Sequence, residues 1–218
     1  LAADGPFSST RQCLGINKLS LNYRECCLTT QVKLTGYQNR TAYELFQKQG
    51  PLALLPIGGD VFQVVWSAPL DRCINREKST PGAFLEELSD LLPNNLQATE
   101  ILYKPITFKT NLSFATRLYK GNNILLGESG HRYHPIGGQG LNVCIRDILS
   151  LISLFDKLKN HKINIKTLPK VYSLSRLTDL LSMALVTHIL LKTFSNKNTF
   201  LLLFRSIILT AMSNVKIL

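Results

Sequence analysis

Alternating apolar and polar positions in the first half of the chain predict antiparallel strands. The segment 22–38 is rich in β-branched residues with partial alternation, and Tyr43–Lys48 has the same character. The apolar run Pro51–Ile57 is followed by Gly58-Gly59-Asp60 and then by the apolar run Val61–Trp66. A glycine-rich turn between two such runs is typical of a β-hairpin, so the middle of the chain is predicted to be mainly antiparallel sheet.

Helical spacing dominates the second half of the chain. Apolar residues recur at 141, 145, 148, 152 and 155, and a second set at 144, 151 and 158, both with the period of an α-helix. The segment 199–212 is apolar but is short for a membrane span and contains Arg205, which favours a core or interfacial helix. The predicted elements are a helix over 83–92, strands near 100–109, 112–118 and 122–127, and helices over 141–160, 167–194 and 197–213.

Composition and charge narrow the class of protein. The 218 residues are 45% hydrophobic and 18% charged, as in globular proteins. The net charge is +11, and the residues from Asp156 onward carry ten Lys or Arg against two acids. This excess of positive charge favours an anionic lipid surface as a partner, and compositional drift is the alternative explanation. No nucleic acid is expected as a partner, because no nucleic-acid motif accompanies the charge. The odd count of five cysteines without a Cys-x-x-Cys pair favours a reducing cytosol.

A glycine-rich turn lies between an apolar strand and the helix that begins near 141. Residues 127–140 contain five of the thirteen glycines. A strand, a glycine-rich turn and a helix N-terminus together present backbone N–H groups to an electron-rich, flat ligand. Glu128 is either an acceptor for ligand hydroxyls or a surface or capping acid. His131 and His134 lack a third ligand nearby, so no metal is expected, and histidines that face solvent or pack within the loop are the alternatives.

These residues carry a resemblance to a known family. Gly127-Glu-Ser-Gly-His131 and His134-Pro-Ile-Gly-Gly-Gln-Gly-Leu-Asn142, followed by Arg146-Asp147, resemble the second FAD fingerprint of class A flavoprotein monooxygenases. The stretch Ala3–Arg11 is similar to the Asp-Gly segment of that family. Gly50–Pro56 and the tail from Tyr172 to Leu209 resemble the branch that hydroxylates precursors of ubiquinone. The resemblance covers essentially the whole chain.

The resemblance implies an α+β fold like that of p-hydroxybenzoate hydroxylase. It would combine part of an α/β FAD-binding domain, an antiparallel substrate-domain sheet and C-terminal helices. The implied segments are residues 1–16 as the end of the FAD-binding domain, 17–119 as the substrate-binding domain, 120–160 as the second fingerprint with its helix, and 161–218 as the C-terminal helical region.

The resemblance also implies the residues of the site. FAD is expected to contact Asp4, Gly5, Arg11, Glu128, Pro135, Gly138, Gln139, Gly140, Leu141 and Asn142. In the hairpin, Leu54 and Pro56 are candidates for an apolar wall against the substrate, with plain sheet core as the alternative for each. No side chain is expected to be catalytic, because the flavin carries the oxygen transfer.

The implied activity is hydroxylation of the aromatic ring of a prenylated phenol in quinone biosynthesis, with NAD(P)H reducing FAD and O2 as co-substrate. Such a phenol resides in a membrane. The expected location is therefore the cytoplasm, with peripheral attachment to the inner face of the membrane. The expected partners are an anionic membrane surface and a quinone-biosynthesis complex.

The sequence departs from the family pattern at three points. Glu128 replaces the usual Asp, and Gly130 stands where Ala is common. No Gly-x-Gly-x-x-Gly motif for the FAD pyrophosphate is present, and the chain opens at Leu1 close to the Asp-Gly segment, so a fragment or a truncated gene is expected. The alternatives are a related FAD-dependent reductase or halogenase, or a non-enzymatic fragment that binds a membrane or partner proteins.

Overall fold

The computed structural model describes residues 1–38, 40–47, 49–135 and 138–194. Within this range the chain forms two compact units. The first contains Leu1–Tyr23 and Thr110–Leu190, and the second contains Arg24–Lys109 with the described residues after Leu190. The first unit thus draws residues from all four of the predicted segments, whose boundaries stay a prediction.

An antiparallel sheet forms the second unit. Its strands are β1 (Lys18–Thr35, which enters from the first unit), β2 (Tyr43–Gln47), β3 (Gly50–Gly58), β4 (Val61–Pro69) and β5 (Gln97–Ile101). The order is β2-β3-β4-β1, and β5 also pairs with β1. In the predicted hairpin, Leu54 lies opposite Val64 and Leu52 opposite Trp66. All four side chains are buried in one core, because alternate residues of a strand share a face.

Two helices cover this core, α2 (Leu70–Lys78) and α3 (Pro81–Ser89). Helix α3 was predicted, and its Phe84 joins the core. Helix α2 was not predicted: five of its nine residues are charged, and its apolar stripe is limited to Leu70, Cys73 and Ile74. Its Arg76 is nevertheless only 4% exposed: the guanidinium lies 3.6 Å from the centre of the Trp66 ring and donates to Glu87 at 2.9 Å.

The first unit surrounds a separate core of helical and strand residues. Its elements are α1 (Ser9–Cys13), β6 (Ile106–Ala115, which enters from the second unit), β7 (Tyr119–Lys120), β8 (Asn123–Ile124), a 3-10 turn (Gly127–Ser129), β9 (His131–Arg132), α4 (Gln139–Lys159) and α5 (Leu168–Phe194). Strand β6 pairs with β9, and β7 with β8. Val143, Leu151 and Tyr172 from the two long helices pack with Leu112 of β6.

The strands after α3 differ from the prediction. Strands were expected near 100–109 and 112–118, whereas β5 ends at Ile101 and β6 runs without a break from Ile106 to Ala115. Pro105 lies in the gap between β5 and β6, and proline has no N–H to donate to the hydrogen bonds of a sheet. Thr110, which lies between the two predicted strands, is buried inside β6.

The predicted helices over 141–160 and 167–194 are present as α4 and α5. The apolar stripe at 141, 145, 148, 152 and 155 is exposed, and α4 instead buries Val143, Asp147, Leu151 and Leu154. No helix in the described part of the chain is both long and apolar enough to cross a bilayer. The predicted helix over 197–213 lies outside the described residues.

Candidate functional site

The Asp-Gly segment lies directly beside the strand that leads into the glycine-rich turn. Ala2 forms a parallel bridge with Leu125: its N–H donates to Ile124 at 2.8 Å, and its carbonyl accepts from the N–H of Leu126 at 2.8 Å. The Ser129 hydroxyl also donates to the Ala2 carbonyl at 2.8 Å. Two predicted FAD-contacting stretches that are more than 120 residues apart in sequence are therefore adjacent in the fold.

Asp4 organises the loop in which it lies. Its carboxylate accepts hydrogen bonds from the Ser8 hydroxyl at 2.6 Å and from the Thr10 N–H at 3.0 Å. The bond from Ser8, followed by that from Thr10, holds the pKa of Asp4 well below its ordinary value. Ser8 in turn caps α1 by accepting from the Arg11 N–H at 2.9 Å. Gly5, with φ of +81°, supplies the left-handed backbone of this turn.

Arg11 belongs to a cluster of cations. Its side chain is buried, and its Nη1 donates to the Ile16 carbonyl at 3.2 Å, while its Nε has no hydrogen-bond partner in the described structure. Burial lowers the pKa of Lys18, and the charges of Arg11 and Arg132 lower it further. No acid is among the groups that shift the pKa of Lys18, so the three cations favour an anionic ligand. Of the three, only Arg11 was a predicted FAD contact.

The turn itself is packed tightly against its surroundings. Gly127 has φ of +60°, and a Cβ there would lie 3.2 Å from the Cys144 sulfur. A Cβ on Gly130 would lie 2.6 Å from a methyl carbon of Leu118. An Ala at position 130 would therefore require the Leu118 side chain to shift in this chain. Glu128 projects from the turn as an exposed carboxylate.

The start of α4 is open and uncapped. Gly138 is the N-cap residue with φ of +60°, and no side chain caps the helix there. Added Cβ atoms at Gly138 and Gly140 would meet no atom within 4 Å. Leu141 and Asn142 are exposed, and Asn142 donates to the Gln139 side chain at 3.2 Å. Pro135 precedes this group, while residues 136 and 137 lie outside the described chain.

Asp147 is the residue that fixes the turn to α4. It is 0% exposed. Its Oδ2 accepts from the Gly127 N–H at 2.9 Å and lies 2.7 Å from Nε2 of His131, while its Oδ1 accepts from Arg176 Nε at 2.7 Å. Burial alone would raise the pKa of Asp147, but these hydrogen bonds and the His131 charge lower it below its ordinary value.

The same network extends along α5. Arg176 also pairs with Asp179 at 2.7 Å, and Asp179 pairs with Arg146 at 3.0 Å. Helix α5 is thereby joined to the fingerprint turn through the buried pair of Arg176 with Asp147, and the pairs of Asp179 are partly exposed. Asp147 belongs to the fingerprint that carries the family resemblance, and Arg176 and Asp179 lie in the tail that shares it, but no role was predicted for any of the three. Asp147 has helical spacing with Cys144 and Leu151, and an acid in that apolar set was the signal that would have identified it.

His134 is also part of this region and is buried. Its ring contacts the edge of Tyr23, with 5.4 Å between ring centres. Burial lowers the pKa of His134 to about 4, so this imidazole is neutral at physiological pH. This matches the interpretation of the histidine as a packing residue of the loop.

The residues present suit a flavin. The first turn of α4 contains no acid, so its N–H groups and its positive dipole end are available to the electron-rich edge of a planar ring. Gly138 and Gly140 leave room for such a ring to approach the backbone. Residues that would hold the cofactor are Glu128 for its polar chain and Gly138–Asn142 for its ring, and these contacts stay predictions.

The two residues predicted to form a wall against the substrate differ in exposure. Leu54 is 0% exposed and belongs to the core of the second unit, which is the alternative considered for it. Pro56 is exposed at the end of β3, so a substrate contact stays a prediction for Pro56.

Comparison with known proteins identifies the family. The FAD binding domain family matches residues 1–161. The chain belongs to this family. The match confirms FAD as the predicted cofactor and supports the resemblance to class A flavoprotein monooxygenases.

Among curated relatives, the chain is 31% identical over 147 residues to the uncharacterized protein slr1300 of Synechocystis, covering 67% of this chain and 36% of that protein. It is 28% identical to the human ubiquinone biosynthesis monooxygenase COQ6, covering 69% and 40% of the two chains. It is 26% identical to the ubiquinone hydroxylase UbiM of Neisseria meningitidis, covering 98% and 47%. The chain thus spans less than half the length of these relatives.

Solved structures show the fold. PqsL of Pseudomonas aeruginosa, a probable FAD-dependent monooxygenase, superposes with a TM-score of 0.74 at 22% identity and covers 89% of this chain and 56% of its own. HpxO of Klebsiella pneumoniae, solved with FAD and uric acid, gives 0.70 at 18% identity, covering 92% and 52%. The predicted α+β fold of the p-hydroxybenzoate hydroxylase type is confirmed.

Proposed function

We propose that this chain provides the substrate sheet and one wall of the flavin site of an FAD-dependent monooxygenase that hydroxylates a prenylated phenol in quinone biosynthesis. The observation that carries the proposal is the Asp147-anchored turn, placed between the Asp-Gly segment and the open N-terminus of α4. The names of the ubiquinone-hydroxylating relatives support the substrate class.

Each part of this site has a distinct task. FAD, when bound, supplies oxygen transfer from O2 to the ring after reduction by NAD(P)H. The start of α4 orients the ring of the cofactor and stabilises negative charge on it, an effect of roughly 0.3–2 kcal/mol. Arg11, with Lys18 and Arg132, would hold nucleotide phosphates, which suits the cations found there.

The location and the partners of the enzyme are part of the same proposal. The enzyme works in the cytoplasm, attached peripherally to the inner face of the membrane where its substrate resides. An anionic membrane surface and a quinone-biosynthesis complex are its proposed partners. The positive charge of the chain from Asp156 onward supports the first of these.

FAD titration of the purified chain tests the cofactor site. Binding is expected to quench flavin fluorescence, and Glu128→Ala is expected to weaken it about tenfold, because a charge-assisted hydrogen bond contributes roughly 1.5–3 kcal/mol. Asp156→Ala, which removes an exposed acid at the far end of α4, is the matched control and is expected to bind as the wild type does. Equal loss in both variants, or no binding by any of them, would count against the site.

Turnover is tested separately. The chain is supplied with FAD, NADPH or NADH, a prenylated phenol and isotopically labelled O2, and mass spectrometry measures the product. Incorporation of one labelled oxygen atom into the ring is expected. Flavin binding with oxidation of the nicotinamide but no labelled product would contradict the hydroxylase assignment while leaving the cofactor site standing.

A further inference from the structure

One side of α5 is apolar and exposed. Leu174, Leu177, Leu181, Leu185 and Ile189 follow helical spacing and are each about half exposed or more. We name these five residues the α5 leucine stripe. The opposite side of the helix is buried through Tyr172, Arg176 and Leu180. Single exposed leucines are ordinary, whereas a contiguous apolar row is a candidate contact surface. Helix α4 also carries such a row, so the cavity and the cations beside α5 are what distinguish the α5 leucine stripe.

A cavity opens at the N-terminal half of this stripe. Its volume is about 240 Å³. It lies between α5 and the end of β6, with an apolar lining formed by Phe114, Leu118, Leu174, Leu177 and Leu181. Sites for whole small molecules typically measure roughly 300–1,000 Å³, so this one suits the end of an apolar chain better than a complete ligand.

The charge around the stripe is positive. Arg117 is exposed and is the one charged residue among the described residues lining the cavity. Lys170 is exposed one turn before Leu174, in the first turn of α5, where the helix dipole disfavours a cation and no acid is present. The single acid of α5, Asp179, pairs with Arg146 and Arg176 and so neutralises neither cation. The surface therefore complements an anionic partner.

We infer that the α5 leucine stripe, with Arg117 and Lys170, docks onto an anionic phospholipid bilayer and that the cavity admits the end of a lipid chain. Apolar residues beside exposed cations are the combination that anionic interfaces recruit. The inference deepens the proposed function by assigning its membrane contact to one surface. The test measures lipid binding without FAD or turnover, so a failure of membrane docking is distinguishable from a failure of the proposed function.

Vesicle sedimentation of the full chain tests the surface. Vesicles of phosphatidylcholine alone are compared with vesicles containing 30% phosphatidylglycerol, at low and high salt. Leu177→Gln/Leu181→Gln is expected to lower the partition coefficient on anionic vesicles at least about tenfold, because both side chains leave water on docking. The matched control is Ile148→Gln/Ile152→Gln on α4, whose side chains are similarly exposed, and it is expected to stay within twofold.

The charge contribution has its own pair of variants. Arg117→Gln/Lys170→Gln is expected to lower binding to anionic vesicles roughly tenfold to thirtyfold and to flatten the salt dependence. Lys157→Gln/Lys159→Gln, which removes two exposed cations near the end of α4, is the control and is expected to have a smaller effect. Circular dichroism and thermal unfolding confirm that all four double variants fold, as exposed substitutions usually allow.

Three results would overturn the inference. One is a wild-type chain that binds neither kind of vesicle. Another is equal loss in the α4 control and the stripe variant. The third is gel filtration showing a wild-type dimer that Leu177→Gln/Leu181→Gln converts to a monomer without changing lipid binding, which would assign the stripe to self-association.

Discussion

Substitution of Asp147 by Asn probes the anchor of the fingerprint turn. The Asp147 carboxylate is completely buried and has three partners within 2.9 Å, which are the Gly127 N–H, His131 and Arg176. An Asn side chain has nearly the same shape but carries no charge, and it turns one N–H donor toward a partner that also donates. Hydrogen bonds to charged groups contribute roughly 1.5–3 kcal/mol each, although such contributions do not simply add.

The expected loss follows from these contacts. Breaking a buried ion pair from one side costs about 3–5 kcal/mol, because the remaining charge is left without its partner. Arg176 retains Asp179, whose side chain is 30% exposed, so the lower end of this range applies. We expect the free energy of unfolding to fall by about 3 kcal/mol, which lowers the melting temperature by roughly 6–12 °C for a chain of this size.

Differential scanning calorimetry and urea unfolding measure this loss, with Asp156→Asn as the control. Asp156 is an exposed acid on the same helix, so its substitution is expected to change the stability by less than about 0.5 kcal/mol. Hydrogen exchange of the Gly127 amide reports the turn directly and is expected to accelerate in Asp147→Asn alone. A loss below about 1 kcal/mol with an unchanged Gly127 amide would refute the anchoring role.

Acid titration gives an independent check on the same carboxylate. The folded-state pKa of Asp147 is lower than its ordinary value of 3.8, so the unfolded state takes up this proton first as the pH falls. The stabilisation from Asp147 is therefore fully present above about pH 4 and is lost as the pH falls below 3.8 toward the folded pKa. Asp147→Asn is expected to lack this part of the acid transition.

Two further substitutions test the packing around the turn. Burial lowers the pKa of His134 from 6.5 to about 4, so stability is expected to fall as the pH drops through this window, by at most roughly 3 kcal/mol. Urea unfolding across the window checks this, and a His134→Gln variant with the same slope would contradict it. Gly130→Ala places a Cβ 2.6 Å from Leu118 and is expected to cost about 1–3 kcal/mol. Thermal unfolding measures that cost, and added Leu118→Val is expected to recover part of it.

The local signals in the sequence determined several elements by themselves. The hairpin around Gly58-Gly59-Asp60 was predictable because the turn residues and the apolar runs on either side all favour it. The fingerprint turn was predictable because glycines are concentrated where a strand meets a helix, and its resemblance to a known family named the cofactor. Helix α2 was not predicted, and the burial of its Arg76 could not be, since that residue owes its position to Trp66 and Glu87.

The tertiary structure decided which surfaces are inside. The period of 141, 145, 148, 152 and 155 predicted a helix but could not show that this stripe is exposed, since spacing fixes a common side and leaves its orientation open. The buried side of α4 carries Asp147, a charge that only Gly127, His131 and Arg176 together make tolerable. The bridge between Ala2 and Leu125 joins the two separate sequence segments that make up the first unit. Sequence determined the parts of the candidate site, and long-range hydrogen bonds between them determined where it lies.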